Sequence, residues 1–180
     1  IASPRPGWAE QDAEAVWAAA AAALAEAAAA AGPSAPEGLG LSGAMHTCLP
    51  ASADGAPLAP ALTWADRRAA ETCRRLREPH AGAALEGLYR RTGCPLQSLY
   101  HIPKLRWWIE QGPEAVRKAA RFVTLKDFVL QRLTGTWAAD LSTWSSSGLL
   151  DIRRCRWDEE ALELAGVTAE QLPPLASSFS

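Results

Sequence analysis

The sequence lacks a surplus of charge of either sign: 18 Lys and Arg residues against 20 Asp and Glu residues leave a net charge of −2 over 180 residues. Proteins that bind nucleic acids through general electrostatic attraction carry a basic surplus. The charge balance therefore argues against a nucleic-acid partner. Basic residues do flank Trp107 and Trp108, but one packed amphipathic helix explains both tryptophans more simply.

Long runs of strongly apolar residues are also missing. A bilayer span needs about 18 or more such residues. The alanine run 18–31 comes closest, but alanine is only weakly hydrophobic and Glu26 interrupts the run. We therefore expect no membrane partner for this chain.

Closely spaced cysteines are absent as well. Cys48, Cys73, Cys94 and Cys155 are far apart, and no CxxC pair occurs. A zinc site or a disulfide framework normally shows tighter pairing. The pattern predicts four reduced, mostly buried thiols and a cytoplasmic protein.

The common signatures of nucleotide-binding and hydrolytic enzymes do not occur either. The sequence has no GxxxxGK[ST] loop, no GxGxxG that opens a helix, no HExxH and no GxSxG. Spacing alone therefore indicates no complete catalytic machinery.

What the sequence does contain is an alternation of helical and strand-like segments, which predicts an α/β architecture richer in helix than in strand. Asp12 caps an alanine-rich helix predicted over 13–31, whose small side chains would let it lie close against a sheet. The segment 38–43 predicts a buried strand. Asp54-Gly55 predicts the turn of a β-hairpin between 44–50 and 58–64. Further helices are predicted over 66–78, 83–91, 103–110, 114–121, 126–133 and 158–165, and short strands over 122–125 and 136–139.

Polar residues follow several of these predicted strands. In α/β folds, ligands bind beyond the carboxyl ends of strands. His46, Trp64 and Asp66 are therefore candidates for one shared crevice, in which the indole would offer an apolar platform to a sugar or polyol. Each also has a plainer interpretation, because the imidazole can be structural, the indole can be core, and Asp66 can simply cap a helix. Asp140 can likewise be only a cap or turn residue.

Nine stretches, in order along the chain, resemble the FGGY carbohydrate kinases. They are PGWAEQD at 6–12, GLSGAMH at 40–46, DG at 54–55, TWADRR at 63–68, RTGCP at 91–95, KLRW at 104–107, KDFV at 126–129, GLLD at 148–151 and WDE at 157–159. The forms TWADRR, RRTGCP and LAGVTAEQLP look most like gluconokinases. The resemblance implies a helix-rich α/β chain with a β-hairpin insertion, forming part of an actin-like, ribonuclease-H-like ATPase domain.

The same resemblance implies that residues 1–180 form an incomplete N-terminal, sugar-binding domain. The phosphate-binding hairpin, the segment with the catalytic aspartate and the C-terminal nucleotide domain would lie outside the chain. The implied activity is ATP-dependent phosphorylation of a primary hydroxyl of a sugar or sugar acid, most simply gluconate, with ATP and Mg²⁺ bound mainly by the missing parts. This chain alone would be inactive, and a homodimer is possible. The alternative is a non-catalytic remnant that binds a sugar or a protein partner.

Residues carried over from the resemblance would contact the substrate, while no catalytic residue or metal ligand is expected in this chain. The substrate-binding residues are Met45, His46, Trp64, Asp66, Leu99 and Tyr100. Leu99 stands where glycerol kinases carry a tyrosine, so the contact falls to Leu99 or to its neighbour. The loop 140–148 departs from the gluconokinase pattern, and its Trp144 would either narrow the pocket or pack inside. A sugar acid would also need a cation, for which the candidates are His46, Arg67, Arg68 and Lys104.

Overall fold

The computed structural model describes residues 1–32, 36–80 and 82–178, and it is a helix-rich α/β structure with small sheets. The helices are α1 Ala13–Ala30, α2 Ala70–Arg77, α3 Ala83–Thr92, α4 His101–Gln111, α5 Glu114–Arg117, α6 Leu125–Thr134, α7 Leu141–Trp144 and α8 Glu159–Ala165, followed by a 3₁₀ turn Ala169–Gln171. The strands are β1 Glu10–Gln11, β2 Leu49–Ala51, β3 Ala61–Leu62, β4 Arg121–Val123, β5 Ala139–Asp140, β6 Leu150–Asp151, β7 Arg156–Trp157 and β8 Leu175–Ala176.

The strands pair two by two. β1 pairs with β3, β2 with β4 and β6 with β7, all antiparallel, whereas β5 and β8 are parallel. Bridges from Cys48 to Leu62 and from Ala51 to Pro57 close the predicted hairpin. Its turn needs glycine, because Gly55 has φ +88°, a conformation that other residues rarely adopt. The β-hairpin predicted around Asp54-Gly55 is therefore confirmed.

The buried strand predicted over 38–43 is wrong. This segment has no regular secondary structure, and nearly all of it is exposed. Its three glycines give it few side chains to bury, and Leu39 lies mostly in solvent. The first turn after this segment is formed by Met45 and His46, and it leads into β2.

The alanine-rich helix forms as predicted, with the Asp12 carboxylate accepting a hydrogen bond from the Ala15 amide. The prediction that it lies close against a sheet holds only at its start, where Ala13, its one buried residue, clusters with Leu49 of β2 and Val123 of β4, while the helix packs beside α6. Too few large side chains on one face leave the helix little apolar surface to bury.

By length and mean hydropathy, 1.3, α1 would also qualify as a membrane-crossing helix. This corrects the expectation that the alanine run, although the nearest to a bilayer span, falls short of the length and hydropathy that one needs. The indication is weak, because a single such helix near the start of a chain also occurs in soluble proteins and signal sequences.

The main core surrounds α4, which packs against α8, α2 and α5. Ile102, Leu105 and Trp108 lie inside it, so the packed amphipathic helix predicted for the tryptophan pair is confirmed. A smaller cluster joins the start of α1 to β2, β4 and α6. Full burial of each large apolar side chain stabilises the fold by about 1.5–3 kcal/mol.

Helix ends follow the predicted chemistry at most positions. Thr124 and Asp127 form a capping box at α6, Asp140 caps α7 and Asp158 caps α8. The N-cap role predicted for Asp66 is wrong, because α2 begins after Ala69, which makes no side-chain cap. Three of the four thiols are buried and all four are free, as the cysteine spacing predicts.

Candidate functional site

His46 lies in a tight turn with its backbone in the left-handed region, at φ +64°. Side chains other than glycine seldom adopt this conformation, so surrounding contacts must hold it. The edge of the His46 ring meets the Tyr100 ring, with the centroids 5.0 Å apart. On the backbone side, the His46 carbonyl accepts a hydrogen bond of 2.6 Å from Lys104 Nζ.

The next residue, Thr47, anchors this turn to two helices. Its carbonyl accepts a 2.9 Å hydrogen bond from His101 Nε2 at the start of α4. Its hydroxyl accepts a 3.0 Å hydrogen bond from the amide of Leu125, the first residue of α6. The turn is therefore fixed from both sides by regular structure.

Lys104 connects the His46 turn to the segment that carries Trp64. Its ammonium donates to the Thr63 carbonyl at 2.8 Å as well as to the His46 carbonyl. The His46 turn and the residue preceding Trp64 therefore meet at one nitrogen atom. Trp64 itself is 58% exposed and Met45 is 49% exposed, so both large side chains remain open to a ligand.

Asp66 is placed differently from the other candidates, because it is only 1% exposed. Its carboxylate accepts hydrogen bonds from the Ala9 amide at 2.7 Å and from the guanidinium of Arg68 at 2.8–3.0 Å. Arg68 also pairs with Glu10 and stacks 3.6 Å above the Trp8 ring. Asp66 thus holds the turn after Trp64 to the start of the chain, and a direct substrate contact by Asp66 stays a prediction.

The structure separates the two candidates of the 99–100 loop. Tyr100 lies half-buried against His46. Leu99 instead lines a cavity of about 610 Å³ beside α2, together with Arg74 and Arg77. Of the two, Tyr100 is therefore the residue that touches the His46 turn.

Met45 borders another hollow, of about 370 Å³. On its opposite side lie Lys126 and Asp140, joined by an ion pair of 2.6 Å, with the Thr143 hydroxyl 3.1 Å from the ammonium. Asp140 also caps α7, which confirms the plainer of its two interpretations. We call Met45, His46, Trp64 and Tyr100 together the His46–Trp64 face; His46 contacts the Tyr100 ring, and the link to Trp64 runs through the carbonyls of His46 and Thr63 at Lys104.

Three basic side chains in or beside the His46–Trp64 face have lowered pKa values. Burial, followed by the nearby Lys104 charge, lowers the pKa of His46, although the Ser146 backbone raises it. Burial and Lys104 also lower the pKa of His101 to about 3, so both imidazoles are neutral near pH 7. Burial lowers the pKa of Lys104 itself to about 8.

Two buried ring atoms in this region have no hydrogen-bond partner within the described residues, namely Nδ1 of His46 and Nδ1 of His101. A buried polar atom without a partner is costly, and because both Nδ1 atoms are themselves buried, neither is open to a ligand in this arrangement. Neutral imidazole offers a donor or an acceptor, whereas the exposed indole offers an apolar surface. This combination suits binding of a polyhydroxylated molecule.

Sequence reasoning treated Lys104 as one of several available cations and missed its structural position. Helical spacing could have found it, because His101, Lys104 and Trp108 lie three to four residues apart on the buried face of α4. Trp144 proves to pack inside, donating its indole N–H to Asp127 at 3.0 Å.

Across residues 1–32, 36–80 and 82–178, no three His, Cys, Asp or Glu side chains converge as a potential metal site.

Comparison with known proteins gives a consistent result. The family model described as "FGGY family of carbohydrate kinases, N-terminal domain" matches residues 1–180. A glycerol kinase of Thermus brockianus is 36% identical over 185 residues, covering 97% of this chain and 37% of the relative. A gluconokinase of Bacillus licheniformis is 30% identical over 140 residues, covering 78% of this chain and 27% of the relative.

Solved structures agree on the fold. A xylulose kinase from Rhodospirillum rubrum superposes with a TM-score of 0.86 at 28% identity, covering 97% of this chain and 36% of that one. A gluconate kinase from Lactobacillus acidophilus has the same TM-score at 24% identity, covering 98% of this chain and 35% of that one. The chain thus spans about a quarter to just over a third of its relatives' length. The predicted actin-like fold class is confirmed, and the chain belongs to the FGGY family of carbohydrate kinases, matching their N-terminal domain.

Proposed function

We propose that this chain forms the acceptor-binding wall of an ATP-dependent carbohydrate kinase. The observation that carries the proposal is the meeting of the His46 turn and the Trp64 turn at the ammonium of Lys104. This arrangement presents a neutral imidazole and an exposed indole from one rigid part of the fold. Family membership supports the same activity.

In this proposal, the exposed indole of Trp64 packs against the C–H groups of the acceptor, and His46 hydrogen-bonds one of its hydroxyls. Holding the acceptor in one orientation can lower the barrier for phosphoryl transfer substantially. The phosphate-binding hairpin, the general base and the nucleotide domain are proposed to lie in polypeptide outside this chain. ATP and Mg²⁺ are proposed to be bound mainly by that same polypeptide outside this chain.

We propose a sugar acid, with gluconate as the leading candidate, as the acceptor. Among the four cations considered for its carboxylate, Lys104 and Arg68 are already bound inside the protein. His46 is kept neutral by its lowered pKa. Arg67 remains, because it is exposed and lies three residues after Trp64.

The test is phosphoryl transfer by the complete polypeptide containing this chain, assayed with gluconate, xylulose and glycerol. Transfer to at least one acceptor is expected. The proposal fails if none is phosphorylated, and sugar binding without any turnover would instead favour a non-catalytic remnant.

The proposal that the acceptor is a sugar acid, bound through Arg67, can be tested separately. Arg67→Gln should raise the KM for gluconate about 10-fold or more, as expected for a lost charge-assisted contact of about 1.4 kcal/mol or more, with little change for glycerol. Arg117→Gln, an exposed change on α5, is the matched control and should leave both KM values unchanged. Equal effects of Arg67→Gln on charged and neutral acceptors would exclude Arg67 as the carboxylate partner.

Two further proposals follow from the sequence. The buried, unpaired thiols support a cytoplasmic location. A homodimer stays a prediction, for which sedimentation of the complete polypeptide is the direct measurement.

A further inference from the structure

We propose that Lys104 is a positioning residue for the acceptor: its buried ammonium holds the His46 turn and the Trp64 turn at a fixed separation. The inference rests on the proposed function, since it concerns the same acceptor site. It assigns Lys104 no direct contact with substrate.

The burial of Lys104 is the first argument. Its side chain is 0% exposed, although lysine is almost never fully buried without a partner. Among the described residues, its ammonium forms no ion pair with a carboxylate, and its partners are the carbonyls of His46 and Thr63. Burying the Lys104 ammonium with only main-chain hydrogen-bond acceptors costs free energy. This cost indicates that the role of the ammonium is to hold the two carbonyls.

The conformation of His46 is the second argument. Its left-handed backbone is unfavourable for a residue with a side chain, so it persists only where neighbouring contacts determine it. Lys104 captures its carbonyl, and Tyr100 packs against its ring. Loss of the ammonium would free the carbonyl and allow the turn to relax, which would rotate the imidazole away from its present direction.

The Trp64 turn depends on the same nitrogen. The Thr63 carbonyl accepts from Lys104 and also from the amide of Asp66, while the Thr63 hydroxyl donates to the Ala9 carbonyl. These bonds set where the chain leaves β3 and therefore where Trp64 begins. The Cys48–Leu62 bridge already pairs the two segments next to these turns, and the ammonium adds a link between the turns themselves, at the residues proposed to hold the acceptor.

A direct role for Lys104 would look different. If the ammonium bound the carboxylate of a sugar acid, its removal would weaken binding of anionic acceptors and spare neutral ones. A positioning role affects both kinds equally, because the imidazole and the indole contact hydroxyls and C–H groups common to all of them.

The main experiment uses Lys104→Met in the complete polypeptide. We expect kcat/KM for the acceptor to fall about 10- to 100-fold, the scale expected for a misplacement of about 1 Å, by a similar factor for gluconate and for glycerol or xylulose. The KM for ATP should change less than about 2-fold. A loss confined to the anionic acceptor, or an equal loss for ATP, would overturn the positioning role.

Two controls separate positioning from general loss of stability. Lys118→Met removes an exposed lysine paired with Glu114 on α5 and should change nothing. Leu88→Ala opens a cavity in the core at α3 and should lower the melting temperature without raising the acceptor KM. If Leu88→Ala reproduced the kinetic effect of Lys104→Met, Lys104 would be structural only.

Hydrogen–deuterium exchange gives a readout that does not require turnover. In Lys104→Met, amides in 45–48 and 62–66 should exchange faster, whereas those in α8 should not change. Unchanged exchange in both turns would overturn the inference. Absence of turnover by the unmodified protein would remove the proposed function, while the exchange result would still decide whether Lys104 holds the two turns.

Discussion

At the scale of single residues, Asp127 shows how one buried carboxyl can serve two elements. Its Oδ2 accepts hydrogen bonds from the Thr124 amide at 2.8 Å and from the Trp144 indole at 3.0 Å. Burial raises the pKa of Asp127 to about 7, and nearby Asp140 adds to the rise, although the hydrogen bonds lower it. The residue therefore joins α6 to α7 while resisting ionisation.

This raised pKa predicts a pH dependence of stability. Between about pH 4 and pH 7, the folded state keeps the Asp127 proton that the unfolded chain has lost, so the free energy of unfolding should fall as pH rises through this window. Asp127→Asn should remove that slope. Denaturant titrations at several pH values for both proteins test this, and an identical slope would contradict it.

A second substitution at the same position tests the hydrogen bonds rather than the proton. Asp127→Ala leaves the Thr124 amide and the Trp144 indole without their acceptor and should cost about 2–5 kcal/mol. Asp127→Asn retains an oxygen acceptor and should cost about 1 kcal/mol or less at pH 7. Both proteins should unfold in a single transition, from which the two free energies of unfolding are compared.

At the scale of elements, helix caps and the glycines that end helices could be predicted from the sequence, because both depend on residues close by in the chain. The ends of α3, α6 and α8 fall at glycines with positive φ, as expected from the sequence. The segment 38–43 could not be predicted, because its short apolar pattern gives no information on whether a pairing partner exists. The strands observed here are two or three residues long and depend on distant partners.

The cap of α8 supports a prediction at this scale. Asp158 accepts from the Ala161 amide at 3.0 Å and from Arg91 Nε at 2.5 Å, so it fixes α8 to α3. Asp158→Ala should lower the free energy of unfolding by about 1–2 kcal/mol through loss of the cap, with a further loss from Arg91. Glu159→Ala, one residue later and exposed, should change it by less than about 0.5 kcal/mol.

At the scale of the whole molecule, the family motifs contributed most to the prediction of the fold. Nine short stretches in order identify an α/β kinase domain even where local patterns fail. They did not reveal that Asp66 and Lys104 are buried, because a motif gives residue order and not burial. Both residues bind partners 41 to 58 positions away in the sequence, a distance over which local periodicity is uninformative.

The buried side chain of Arg68 contacts both the start of the chain and α4. It pairs with Asp66 and Glu10 and lies over the Trp8 ring, within 5.2 Å of the Trp107 ring centroid. Arg68→Met should cost about 3–5 kcal/mol, because Asp66 would keep an uncompensated buried charge. Arg68→Met combined with Asp66→Asn should recover a large part of that loss in denaturant unfolding. Additive losses would show that the two side chains do not interact energetically.

The left-handed backbone at position 46 also sets a limit for enzyme engineering. Glycine or asparagine would accept that backbone but would discard the imidazole, and a β-branched replacement would fit neither requirement. A library aimed at new acceptors should therefore leave position 46 unchanged and diversify Trp64, which is exposed and free of this constraint.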